Sequence, residues 1–131
     1  MTTVEYLDAV KERLLTDRSV TRFQILRERI TLADAHVRAR LTFVDSSEME
    51  FSEYVQIAPD DQINVVTYSY HWIDANGGLI RRWDNTPHYP NLPNSPHHVH
   101  DGQTNTVNPG HTMSIAVVLD EIGRRLTEQT S

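Results

Sequence analysis

INVVTYSYHWIDANGGLIRRWD, residues 63–84, decides the fold. Its first half, Ile63–Asp74, is dense in β-branched and aromatic side chains, which suit a pleated sheet. Period-two alternation puts Ile63, Val65, Thr67, Ser69, His71 and Ile73 on one face and Val66, Tyr68, Tyr70, Trp72 and Asp74 on the other. Both faces carry apolar or aromatic groups, which predicts a central strand. Ala75-Asn76-Gly77-Gly78 follows, and Asn-Gly between two such runs is a strong hairpin signal. Leu79–Trp83 is then the return strand.

The strand pattern extends upstream. Val37, Ala39, Leu41 and Phe43 face one way; Arg38, Arg40 and Thr42 face the other. Before them, Val20–Ile30 reads as a half-buried strand in which Phe23 and Ile25 alternate with polar residues. Asp45-Ser46-Ser47 is a hairpin turn. Met49, Phe51, Val55 and Ile57 continue the alternation with Glu53 as the exception, and Ala58-Pro59-Asp60-Asp61 is a second turn. The ends are helical. Thr2-x-x-Glu5 reads as a capping box for a helix over residues 3–16 with Val4, Leu7, Val10 and Leu14 as its apolar stripe. Ile115, Leu119, Ile122 and Leu126 mark a second helix over residues 112–128. Gly123 weakens it by about 1 kcal/mol relative to alanine, so it depends on packing against the sheet. The expected fold is α+β: a single antiparallel meander sheet of about five strands with an N-terminal and a C-terminal helix.

A length of 131 residues suits one domain, residues 1–131, around one core. The 38% hydrophobic content is low, but the apolar residues are patterned, so the chain is expected to fold. Cysteine is absent, which excludes disulfides and a thiol nucleophile and points to the cytoplasm. No apolar run approaches a membrane span, and the acidic, amphipathic N-terminus does not read as a signal peptide. The net charge of −6 argues against bulk nucleic-acid binding. Its distribution is uneven, however. Residues 1–40 are net basic, whereas residues 41–61 carry acids and no base. Lys11 is the only lysine among 12 basic residues, and arginine is the better phosphate fork.

Residues 83–101, WDNTPHYPNLPNSPHHVHD, concentrate His88, His97, His98 and His100 among prolines. So long a stretch between a strand and a helix reads as a functional loop. Histidine moves protons near neutral pH and binds metals. With Arg81, Arg82 and Asp84 at its base and His71 near the end of the preceding strand, this stretch forms the main constellation. Metal-independent RNA cleavage needs a base for the ribose 2′-hydroxyl, an acid for the leaving oxygen and a cation for the phosphate. In that reading His88 and one of His97, His98 or His100 are the acid and base. Arg82 binds phosphate and Asp84 orients a histidine. His71 is either a site member or a half-buried strand histidine. A metal reading competes. His98-x-His100 in an extended segment puts both imidazoles on one side, and Asp84, Asp101 or His88 completes a mixed site. No complete ligand framework is visible, so the expectation is no bound metal and no cofactor.

The string over residues 68–102 resembles the core signature of the TumE-type toxins, small bacterial and archaeal proteins. It matches a Y-x-Y-H strand (Tyr68, Tyr70, His71), a D-x-x-G turn (Asp74, Gly77) and an R-[YW]-D-N-x-P-H strand end (Arg82, Trp83, Asp84, Asn85, Pro87, His88). It also matches Pro90 and a P-H-H-x-H loop (Pro96, His97, His98, His100). It departs at Tyr89, where the family usually has a second histidine, and at Asn94-Ser95, where an aromatic is expected. The resemblance implies the toxin of a toxin–antitoxin pair, with a separate antitoxin as partner and RNA as the expected target. A homodimer is left open. Two other readings stand beside it: a non-catalytic binding protein using Arg27, Arg29, Arg38 and Arg40 or the histidine loop, and a metal-dependent hydrolase or sensor.

Overall fold

A computed structural model describes residues 1–130. Helix α1 (Thr3–Thr16) leads into strands β1 (Val20–Ile30), β2 (Asp34–Phe43), β3 (Glu48–Ile57), β4 (Ile63–Ile73) and β5 (Leu79–Asp84). Strands β6 (His98–Asp101) and β7 (Thr106–Pro109) and helix α2 (Ile115–Thr130) complete the chain. All seven strands form one sheet in sequence order, each antiparallel to the next. The α+β meander is as expected. The strand count is seven rather than five because β6 and β7 lie inside the segment read from sequence as loop. β4 is the middle strand of the seven.

α1 begins as its sequence dictates. Thr2 and Glu5 exchange side-chain and backbone hydrogen bonds as a capping box. Leu7, Val10 and Leu14 are buried, whereas Val4 is exposed and Thr3 is buried in its place. Both helices cover one face of the sheet. Leu7, Val10 and Leu14 join Ile115, Val118, Leu119, Ile122 and Leu126 in a core with Val37, Ala39, Leu41, Phe43, Met49, Phe51 and Val55. Tyr68, Tyr70, Trp72 and Trp83 complete it from β4 and β5.

Glu53, the exception in the β3 pattern, points into this core and is fully buried. It is satisfied three times over: Tyr6 Oη donates to Oε1 at 2.6 Å, and Tyr70 Oη (2.6 Å) and the Ile115 backbone N–H (2.7 Å) donate to Oε2. Burial nevertheless outweighs these donors and raises its pKa.

The alternation along β4 is broken once. Pairing steps from Tyr54–Thr67 to Val55–Val65, so Val66 is bulged out of register. As a result Ile63 and Val65 pack against the same core as Tyr68, Tyr70 and Trp72 rather than opposite to them. The Asn85 amide spans this bulge. It accepts from the Tyr68 N–H at 3.0 Å and donates to the Val66 carbonyl at 2.9 Å. The β4–β5 hairpin is also one residue longer than a two-residue Asn-Gly turn. The Gly77 N–H bonds to the Asp74 carbonyl, Gly77 takes a φ of +86°, and the Asp74 N–H bonds to the Gly78 carbonyl. Only glycine adopts that φ at no steric cost.

Candidate functional site

The face of the sheet away from the helices carries no helix among the described residues; Tyr89 packs over its β6 end, burying Asp84 and His98, and its polar side chains fall into cross-strand rows. One row reads Gln24, Arg40, Glu50, His71, Arg82, His100 across β1 to β6. The next reads Arg27, Arg38, Ser52, Ser69, Asp84, His98. Arg22, Arg29 and His36 lie on the same face by register. Arginines therefore gather at the β1–β2 end and histidines at the β4–β6 end, with Glu50 pairing to Arg38 (3.3 Å) and Arg40 (3.4 Å) between them. A groove of about 510 Å³ lined by Arg22, Gln24, Arg40, Thr42 and Glu48 opens at the arginine end.

The histidine end is organised around Asp84, which is buried. The Thr86 N–H and hydroxyl donate to its Oδ1 at 3.1 and 2.8 Å, an Asx turn that fixes the carboxylate at the end of β5. Arg82 Nε donates to Oδ2 at 2.8 Å. His98 Nε2 stands 2.8 Å from Oδ1, and His100 Nε2 stands 3.8 Å from Oδ2. Burial works against a charged Asp84, but the donors from Thr86 and Arg82 prevail and lower its pKa. Arg82 reaches further. Its Nη1 donates to His71 Nδ1 at 3.2 Å. A guanidinium can only donate, so the neutral His71 ring carries its proton on Nε2. Burial, and then the Arg82 charge, hold His71 below the usual imidazole range. Burial lowers His100 as well, against the pull of Asp84.

His98 is oriented from behind. Its Nδ1 lies 2.9 Å from the Pro96 carbonyl, which can only accept, so Nδ1 carries a proton. Tyr89 stands over the pair, with ring centroids 4.9 Å from His98 and 5.8 Å from His100, both edge-on.

Of the residues singled out from sequence, the structure brings together His71, Arg82, Asp84, His98 and His100. It does not bring in His88 or His97. His88 is exposed, and its ring makes no hydrogen bond or ion pair among the described residues. His97 leaves the strand on the opposite side. It stacks on Tyr68, with Nδ1 2.8 Å from the Tyr68 hydroxyl and Nε2 3.4 Å from Thr112 Oγ1. Neighbouring residues on an extended chain point to opposite faces, so His97 and His98 cannot serve one site. The two arginines divide likewise. Arg81 turns to the helix side, between Asp101 (3.2 Å) and Glu121 (3.1 Å). Asp101 is thus tied to Arg81 and absent from the histidine cluster. Sequence reasoning missed Thr86, Tyr89 and the Pro96 carbonyl. The Asp-x-Thr spacing just past a strand was a usable signal for the first.

The fold and this histidine-edged face define a small α+β protein with a polar side-chain cluster on the helix-free face of its sheet. The chain belongs to the TumE toxin family: the family model described as Toxin TumE matches residues 10–126. It is therefore the toxin of a toxin–antitoxin system, and a cognate antitoxin is its partner. Searches against curated proteins and against solved structures found no match. No described helix is long and apolar enough to cross a membrane.

Proposed function

We propose that this toxin acts on RNA, laying a single strand across the open face of the sheet and cleaving it at the β4–β6 end. The observation that carries the reading is the fixed guanidinium of Arg82, held by Asp84 on one side and His71 on the other, on the same face as Arg38 and Arg40. Arg82 keeps Nη2 for a phosphate oxygen, and the His71 Nε2–H is a second donor beside it. From β2 to β6 the row covers four strand spacings, about 19 Å, enough for several nucleotides of a splayed strand.

In this reading the ribose 2′-hydroxyl attacks the adjacent phosphorus. The O2′–P bond forms, the P–O5′ bond breaks, and a 2′,3′-cyclic phosphate is left. The proton of the 2′-hydroxyl passes to the Asp84–His98–His100 group, and the leaving 5′ oxygen is protonated in turn. Arg82 and His71 stabilise the charge that builds on the phosphate. Acid–base work is thereby assigned to the cluster and not to His88 or His97.

The gathering of Arg22, Arg27, Arg29, Arg38 and Arg40 on that face favours one other reading, in which the toxin binds without cleaving. Short labelled RNA oligomers separate the two. Cleavage that leaves cyclic phosphate ends, and that fails on a 2′-deoxy analogue, is the expected result. Salt-sensitive binding with intact RNA supports the second reading. An oligomer that is neither bound nor cut overturns both.

A further inference from the structure

Two buried side-chain nitrogens among the described residues have no hydrogen-bond partner, Arg81 Nε and His98 Nε2. The first lies within the Arg81 guanidinium, which already pairs with Asp101 and Glu121 and stacks over Trp83. The second has no such account. His98 Nε2 stands 2.8 Å from Asp84 Oδ1, yet the pair does not form a hydrogen bond, because the oxygen lies off the direction of a proton on Nε2. With Nδ1 protonated against the Pro96 carbonyl, the neutral ring presents a lone pair there. A lone pair and a carboxylate at that distance repel unless a positive charge, a proton on Nε2 or a metal ion, is held beside them, and the off-axis oxygen is poorly placed for the proton.

We infer that Asp84, His98 and His100 bind one divalent transition-metal ion of the zinc type. One ligand atom from each residue lies within 4.8 Å of the other two. Zinc bonds of about 2.0–2.1 Å put tetrahedral ligands about 3.4 Å apart. His98 Nε2 lies 2.8 Å from one Asp84 oxygen and His100 Nε2 3.8 Å from the other, so the two imidazoles already flank the carboxylate at near-ligand spacing, and side-chain adjustment draws the set together on an ion. An ion on the axis of the Nε2 lone pair also explains why the Asp84 oxygen sits to one side of it. Two imidazoles and one carboxylate suit zinc and its borderline neighbours, whereas magnesium and calcium favour oxygen ligands alone.

The surroundings are those of a ligand set. The Nδ1–H of His98 donates to a backbone carbonyl, fixing the tautomer that frees Nε2. Thr86 and Arg82 hold the Asp84 carboxylate in place. Three protein ligands leave a coordination position for water on the face that Arg82 shares. Metal-bound water gives up a proton near neutral pH; with Asp84, His98 and His100 occupied as ligands, the resulting hydroxide takes the place of a free imidazole as the base for the 2′-hydroxyl. That use rests on the proposed RNA chemistry; the binding of the metal does not.

The test uses the full chain without a histidine tag, stripped with chelator and titrated with Zn²⁺ alone. One equivalent is expected to remain bound after gel filtration and to raise the melting temperature. His100→Ala should weaken binding by more than about 100-fold, beyond the loss typical of an outer-shell change. His88→Ala and His111→Ala should bind as the wild type does. Co²⁺ bound to the wild-type chain should show the intense visible bands of a low-coordinate nitrogen and oxygen site, a readout that holds even where His100→Ala fails to fold. Absence of bound zinc in the wild type overturns the inference. So does binding that survives His100→Ala but is lost with His88 or His111, and so does an octahedral Co²⁺ spectrum. Zinc binding without RNA cleavage removes the RNA reading and leaves this one. RNA cleavage by metal-free protein that takes up no zinc does the reverse.

Discussion

The backbone N–H of Ile115 donates to the Glu53 carboxylate at 2.7 Å, so the first turn of α2 is held by a strand residue 62 positions earlier. The same carboxylate receives Tyr6 from α1 and Tyr70 from β4. One buried acid therefore ties both helices to the middle of the sheet.

Removing that acceptor leaves two buried donors, Tyr70 Oη and the Ile115 N–H, and the half-buried Tyr6 Oη without their partner. Glu53→Ala is expected to cost about 3 kcal/mol or more, read by urea denaturation. A variant within 1 kcal/mol of wild type, as an order-of-magnitude bound, would show that water replaces the carboxylate without loss.

Glu53 also sets a pH dependence. Its folded pKa is raised, so the folded protein holds the proton more readily than the unfolded chain does. Its contribution to stability is fully present below the unfolded value, about 4.3. That contribution is lost as pH rises through the folded value. Glu53→Gln cannot ionise. Its melting temperature relative to wild type should therefore climb as pH rises from about 4 towards 7. A constant difference across that range would rule the assignment out.

Arg82→Lys keeps a cation beside Asp84 but lacks the fork that spans Asp84 and His71. We expect growth inhibition by the free toxin to fall at least about tenfold, with the melting temperature little changed. Full toxicity in this variant would mean that charge alone suffices and that the fixed guanidinium has no part in the chemistry.

Asn85 stands in for a strand residue where β4 bulges. Asn85→Ala leaves the Tyr68 N–H and the Val66 carbonyl without their partner, at an expected cost of about 1–3 kcal/mol. Amide hydrogen exchange at Tyr68 should speed up in step. Unchanged protection there would count against the bridging role.

Gly102 lies against β5 so closely that a Cβ would run into the Leu79 carbonyl. Its N–H bonds to the Ile80 carbonyl at 2.9 Å, closing the turn after β6. Gly102→Ala should destabilise by about 1–3 kcal/mol and should weaken zinc binding, because β6 carries two of the three ligands. Zinc affinity equal to wild type would separate the turn from the site.

The long strands and both helices were legible because each buries a side that repeats at its own period. β2 shows this most plainly, with Val37, Ala39, Leu41 and Phe43 all buried and Arg38 and Arg40 exposed. β6 and β7 were not legible. Each has four residues, and Val99 and Val107 are their only strongly apolar members, so pairing with β5 and with each other defines them. Pro109 at the end of the outermost strand fits the edge position where proline is tolerated. The site was half legible. Its residue types stood out, but the partnership of Asp84 with His98 comes from cross-strand register between residues 14 positions apart. Reading residues 86–97 as the start of one long loop also hid that His97 and His98 part company. The Val66 bulge left no mark in the alternation.

Trp83 and Val99 face the helices, while Arg82, Asp84, His98 and His100 face out, all on two short neighbouring strands. A slip of β6 by one residue would turn both histidines under the helices and present Val99 to Asp84. The two short strands therefore have a single pairing that keeps Asp84 beside His98 and His100, and the cluster is assembled only when the last strands lock into that register.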